Sequence, residues 1–169
     1  MSDLQITISG PGGGRFQKEL VARLRGAHRI LSPPLQSLSV AIVDDATMSA
    51  LHAKFLGERG PTDVLTFELE HTSRGGVSEG EVIVCLDEAR RRARENGIAV
   101  KDELLLYALH GMLHLCGFSD RTKKGHEVMH ATEDRILTDL GVGPVFHRGS
   151  AAPLSCRRPA TRHRILGGR

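Results

Sequence analysis

Val82-Ile83-Val84-Cys85-Leu86 is an unbroken apolar run of five residues between Gly80-Glu81 and Asp87. A strand with one wet face alternates polar and apolar side chains, so a strand apolar at every position is covered on both faces. This strand is therefore central, and the sheet around it needs helices to cover it. The rest of the chain supplies both. Residues 4–8 alternate as a half-buried strand, which Gly10 to Gly14, with Pro11, brings to an end. Phe16, Leu20, Val21 and Leu24 recur at three and four, predicting a helix over 15–25, and Pro33-Pro34 stops helical structure. A strand over 38–43 turns at Asp44-Asp45 into a helix near 46–55, where Met48, Leu51 and Phe55 share a face. Residues 64–67 read as a short strand, and a Gly-rich connection over 74–80 leads to the apolar run. Asp87 is expected to cap a helix over 88–95 that Asn96-Gly97 terminates. A further helix starts at Asp102 and breaks at Gly117, and the last runs over 122–140 to Gly141. The expected fold class is α+β: a single mixed β-sheet of about four strands covered by helices.

Charge divides the chain. Six of the 23 Lys and Arg residues (Arg148, Arg157, Arg158, Arg162, Arg164, Arg169) fall after residue 147 with no Asp or Glu, leaving 17 basic against 20 acidic side chains before it. The basicity therefore belongs to the tail. Residues 1–147 are read as one folded domain, and 148–169 as a basic, disordered tail that could gain affinity for polyphosphate by counterion release. No apolar stretch is long enough for a bilayer, and Met1 to Gly14 lacks a secretion signal. Cys85, Cys116 and Cys156 are too sparse for a disulfide scaffold, so a cytoplasmic location with reduced thiols is expected.

The chemistry concentrates between His110 and Asp120. On a helix His110 and His114 lie one turn apart and can donate lone pairs to a single ion. Gly117 can take a positive φ and turn the chain back, which would return the carboxylate of Asp120 to that ion. The pattern His-x3-His-x2-Gly-x2-Asp has the spacing of the metzincin zinc motif with Asp as third ligand, and three protein ligands leave a position for catalytic water. The metal site thus falls on a helix after the last strand. One departure argues against a peptidase. Metalloproteases place a glutamate, the general base, directly after the first histidine, where this chain has Gly111. His126 and His130 form another i, i+4 pair, and His126 is the substitute should Asp120 not be the third ligand.

The segment resembles the YbeY endoribonucleases, a family of metal-dependent proteins implicated in ribosomal RNA maturation. Its signature His-Gly-x-Leu-His-Leu-x-Gly-Tyr-Asp-His is matched by His110-Gly111-Met112-Leu113-His114-Leu115-Cys116-Gly117-Phe118-Ser119-Asp120. Pro61-Thr62-Asp63-Val64-Leu65-Thr66-Phe67 is similar to the family's Pro-Thr-Asp-Val-Leu-Ser-Phe, and Gly80-Glu81-Val82-Ile83-Val84 to its Gly-Asp-Ile-x-Ile strand. Order and spacing agree over about 38–140. Asp120 stands where the commonest family pattern has a third histidine. The family often carries a phosphate-handling arginine before Pro-Thr-Asp; the aligned residue here is Leu56, with Arg59 and Lys54 as nearby substitutes for RNA contact. The resemblance also implies that Thr62 and Asp63 shape the site. Glu103 and Tyr107, on the helical stripe of the two histidines, are candidates to orient a ligand.

Together these readings imply a zinc-dependent endoribonuclease, with one Zn2+ on His110, His114 and Asp120. Its expected role is in ribosomal RNA processing and ribosome maturation. The implied partners are single-stranded ribosomal RNA or its precursor and small ribosomal subunit proteins, with no membrane. Two alternatives stand beside it: a non-catalytic ribosome-assembly factor with a structural metal, and a metal hydrolase of another substrate, which Gly111 disfavours.

Overall fold

The structure, a computed structural model, describes residues 3–11 and 13–145. The basic segment 148–169 lies outside the described residues. The chain runs β1 (Gln5–Ser9), α1 (Gly13–Leu31), β2 (Ser37–Val43), α2 (Asp45–Leu56), β3 (Val64–His71), β4 (Val77–Cys85), α3 (Leu86–Asn96), α4 (Val100–Leu115) and α5 (Lys123–Asp139). One mixed sheet has the order β1-β2-β4-β3, with β1, β2 and β4 parallel and β3 antiparallel to β4. The α+β expectation of four strands holds. No helix among the described residues is long and apolar enough to cross a membrane.

The apolar run is buried from both sides, as its composition requires. Val82 and Val84 pack with Leu38, Val40 and Ile42 into the main core beneath α1, α4 and α5. Ile83 and Cys85 face the other way and join Met48 of α2 and Leu65 of β3 in a smaller cluster. Burying these side chains is the main force holding the layers together, at roughly 1.5–3 kcal/mol for each large apolar residue.

Several boundaries differ from the expected ones, and glycine explains two of them. Helix α1 continues past residue 25 through Gly26, because that glycine makes room for Leu140 rather than ending a helix: a Cβ there would lie 2.5 Å from Leu140 Cδ2. Strand β4 likewise begins at Val77 and runs through Gly80, where the side chain of Leu115 occupies the space a Cβ would need. Strand β3 extends to His71 on an irregular pairing at Glu68, Glu70 and His71, held by backbone bonds that polar sequence does not advertise. Asp87 does not cap α3. Cys85 is the N-cap, and Asp87 sits in the first turn, where its Oδ2 accepts from the Asp45 N–H at 3.0 Å and ties α3 to the start of α2.

Helix α4 is buried almost all round. At Gly111 it presses against the sheet so closely that a Cβ would lie 2.5 Å from Val82 Cγ1 and 3.0 Å from Thr66 Oγ1. The residue after the first histidine therefore points at β4 and β3, and no glutamate fits there. The missing protease base is a consequence of helix-on-sheet packing.

Candidate metal centre

The last turn of α4 ends in a Schellman motif. Gly117 takes φ 91°, its N–H reaches the His114 carbonyl at 3.0 Å, and the Phe118 N–H reaches the Leu113 carbonyl at 3.0 Å. Only glycine accepts this backbone without strain. The turn brings the Phe118 carbonyl to His114, whose Nδ1–H donates to it at 3.1 Å. Thr122 then caps α5 by accepting from the Gly125 N–H at 3.0 Å, and Gly125 is small enough for the Ser119 carbonyl to lie against it. Asp120 is held between these two anchors.

The outcome is a convergence of three side chains. His110 Nε2 and His114 Nε2 are 3.1 Å apart. Asp120 straddles them, with Oδ2 3.8 Å from His110 Nε2 and Oδ1 3.9 Å from His114 Nε2. Ligands of a tetrahedral ion with bonds of about 2.0–2.2 Å stand about 3.3–3.6 Å apart, so these separations lie within about half an ångström of a coordination triangle. The chemistry of the nitrogens fits as well. A backbone carbonyl only accepts, so His114 carries its proton on Nδ1, and Glu133 Oε1 accepts from His110 Nδ1 at 2.6 Å. In their neutral forms both rings therefore aim bare Nε2 lone pairs at each other, an arrangement that a proton on His110 or a shared cation relieves.

Among the described residues a second group, His110, His130 and Glu133, also comes within reach of one ion. Its distances argue against coordination. Glu133 accepts from His110 at 2.6 Å and from His130 Nδ1 at 2.5 Å, which are charge-assisted hydrogen bonds, whereas two ligands of one cation would stand farther apart. His126 belongs to neither group; its ring meets that of His130 edge-on at 4.1 Å.

Electrostatics follow the burial. Burial works against a charged His110, but the hydrogen bond to Glu133 and the carboxylates of Glu133, Asp63 and Asp120 outweigh it and hold its pKa above the ordinary value. Burial lowers that of His114, and the neighbouring His110 adds to the effect. Glu133 is driven up by burial yet ends below the usual carboxylate range because two imidazoles donate to it. Asp63, in the loop before β3, accepts from Thr62 Oγ1–H and from the Val64 N–H, both at 3.0 Å, and burial raises its pKa. When ionised, Asp63 favours the charged form of His110.

Glu103 and Tyr107 share the histidine stripe but make no hydrogen bond to either ring; both are buried and turn to each other, without a well-formed hydrogen bond at Glu103 Oε2 or the Tyr107 hydroxyl. The carboxylate that meets a ring of the pair is instead Glu133, from α5. The available signal was its place three residues after His130, one turn along the face carrying the second histidine pair. Lys54 lies on the last turn of α2, its Nζ 5.3 Å from the Phe55 ring centroid, and Arg59 is exposed in the loop toward β3. Leu56, at the family's arginine position, packs against the smaller cluster.

Residues 16–141 match the family described as Endoribonuclease YbeY. The chain belongs to this family. It is 35% identical to the Endoribonuclease YbeY of Thermobifida fusca over 145 residues, 79% of this chain and 92% of the relative. It is 34% identical to that of Cutibacterium acnes over 141 residues, 78% and 91% of the two chains. The fold is similar to that of the Thermotoga maritima protein TM1509, solved in solution, with a TM-score of 0.56 at 27% identity over 82% of this chain and 91% of that one. The YbeY match covers every part of the triad and its supports, from Thr62 through Glu133.

Proposed function

We propose that this YbeY-family chain is a metal-dependent endoribonuclease that cuts single-stranded ribosomal RNA or its precursor, with one Zn2+ held by His110 Nε2, His114 Nε2 and Asp120. The observation that carries the reading is the pair of opposed Nε2 atoms 3.1 Å apart with both Nδ1 atoms committed elsewhere and a carboxylate astride them. Two nitrogens and one oxygen suit zinc, and three protein ligands leave a coordination position for water. When bound, such an ion lowers the pKa of water to about 7 and offsets charge developing on a phosphoryl oxygen. The chain's own residues do the rest. Phe118 O and Glu133 aim the two rings, the Gly117 turn delivers Asp120, and burial of the ligand side chains keeps competing water from them.

Lys54 and Arg59 are assigned to RNA phosphates. Arg59 is exposed and has no ion-pair partner among the described residues, which leaves its guanidinium available. Residues 1–147 form the catalytic unit in this reading, and the arginines of 148–169 add affinity through counterion release. The setting is the cytoplasm, with small-subunit ribosomal proteins beside the RNA. Replacing His114 with alanine is expected to abolish bound zinc and RNA cleavage together, measured by metal analysis and by incubation with defined single-stranded RNAs before and after chelation. RNA cleavage by metal-free His114→Ala protein would overturn the assignment. A parent protein that binds zinc and ribosomes yet cuts no RNA would support the assembly-factor alternative.

A further inference from the structure

The two nitrogen ligands of the centre are held by different means. His114 rests on a backbone carbonyl that comes with the turn ending its own helix. His110 rests on a side chain from another element, and that side chain is a fully buried carboxylate. A buried carboxylate is costly unless its oxygens are occupied by donors. Glu133 meets this requirement with two imidazoles: Oε1 takes the Nδ1–H of His110 at 2.6 Å and Oε2 takes the Nδ1–H of His130 at 2.5 Å. His130 lies three residues before it on α5 and is itself buried, its ring stacked over that of His110 with centroids 5.9 Å apart.

We infer that Glu133 is the positioning residue of the centre, fixing the His110 tautomer and ring angle that turn Nε2 toward the ion, and that His130 in turn fixes Glu133. This rests on the metal reading above. A carboxylate suits the position because it accepts at both ends; an amide has one acceptor and one donor, so glutamine satisfies only one of the two Nδ1–H groups and opposes the other. The bridge makes metal affinity a property of α5 as well as of α4. Carboxylate partners of metal-bound histidines also raise ligand basicity, and losing one costs about 10–100-fold in affinity.

The test is Co2+ binding by the full chain without RNA, followed by visible absorption in competition with a chelator. Four variants are compared with the parent: Glu133→Gln, His130→Ala, Met129→Ala and His114→Ala. Met129 is fully buried on α5 and is not part of the bridge, so its truncation reports general loosening of the helix. Glu133→Gln is expected to bind Co2+ about 10–100-fold more weakly with an altered visible spectrum, His130→Ala to lose less, and Met129→Ala to keep parent affinity. Parent affinity in Glu133→Gln, or an equal loss in Met129→Ala, overturns the inference. If Glu133→Gln does not fold, His130→Ala decides, because parent affinity there removes the second half of the bridge. His114→Ala separates the two levels of argument. Retained Co2+ in that variant defeats the metal reading itself, whereas lost Co2+ there with parent affinity in Glu133→Gln defeats the positioning role alone.

Discussion

Adding one methyl group at Gly111 tests whether helix-on-sheet contact sets the geometry of the centre. In Gly111→Ala the new Cβ would stand 2.5 Å from Val82 Cγ1, 2.7 Å from Val82 Cγ2 and 3.0 Å from Thr66 Oγ1. Carbon atoms prefer about 3.5–4.0 Å, so either Val82 moves or α4 lifts by about 1 Å. Val82 is fully buried in a central strand and branched at Cβ, which leaves it no other rotamer to take up cheaply. Overpacking of this kind costs about 1–3 kcal/mol, and the upper end applies because two methyls and a hydroxyl are met at once. Alanine returns about 1 kcal/mol as the better helix former, so the net loss is about 2 kcal/mol. The lift also stretches the 2.6 Å bond between His110 and Glu133, because α5 does not share the contact at Gly111. Urea denaturation of the metal-free protein at pH 7 should show a lower midpoint, and zinc or Co2+ affinity should fall with it. A variant as stable as the parent, with parent metal affinity, would refute the claim that this packing excludes a side chain after the first histidine.

Further outcomes follow from the surrounding groups. Burial pushes Glu103 up to about 7 from an ordinary 4.5, so the unfolded state ionises first as pH rises, and the folded state loses stability between about pH 4.5 and 7 and stays penalised above that. Glu103→Gln should therefore match the parent at pH 4 and exceed it by roughly 3 kcal/mol at pH 8, read from denaturation midpoints at the two pH values; equal midpoints at pH 8 would count against it. Gly117→Ala forces an L-residue to φ 91° and should cost about 1–3 kcal/mol while weakening metal binding, since the same turn carries Phe118 O and Asp120. Replacing both Lys54 and Arg59 with alanine should weaken RNA binding regardless of sequence and lower the salt dependence of log affinity by about 1–2, measured by titration at several salt concentrations; an unchanged slope removes them from the phosphate contacts.

What the sequence shows and what it hides divide along physical lines. The central strand was legible because a run of consecutive apolar residues admits one environment, although the fifth of them, Leu86, opens α3 instead, and Gly117 because a turn to Asp120 needs a positive φ. Family membership was legible from three ordered motifs. A glycine inside an element misled: Gly80 read as the end of a connection, yet it lies within β4 and serves the close approach of Leu115 from α4, a tertiary fact with no local trace. Asp87 read as a cap because capping is local, but its partner is Asp45, 42 residues away. Glu133 is the sharpest case. Within α5 its one sign is a place three residues after His130, which a solvated glutamate could equally hold; only the packing of α5 on α4 shows that it is buried between two imidazoles.

That packing also explains why a helix carrying so many polar groups is buried. Glu103, Tyr107, His110 and His114 recur at spacings of four, three and four, one continuous stripe of α4, while Gly111 and Met112 turn to the sheet and core. A stripe of this kind exposed to water would need no partners; buried, each polar atom left unpaired costs about 1–3 kcal/mol. The half nearer the C-terminal end is satisfied from outside the helix, His110 by Glu133 and His114 by Phe118 O. The other half is served only poorly and from within the stripe: Glu103 and Tyr107 turn to each other without a well-formed hydrogen bond at Glu103 Oε2 or the Tyr107 hydroxyl, and the carboxyl relaxes by holding its proton near neutral pH. The helix thus concentrates hydrogen-bonding partners around the two nitrogens that converge on Asp120 and tolerates a deficit one to two turns before them. A fold selected for stability alone would carry apolar residues at both ends of the stripe, so the retention of well-supported imidazoles at one end is itself an argument that binding a cation there is what α4 is shaped to do.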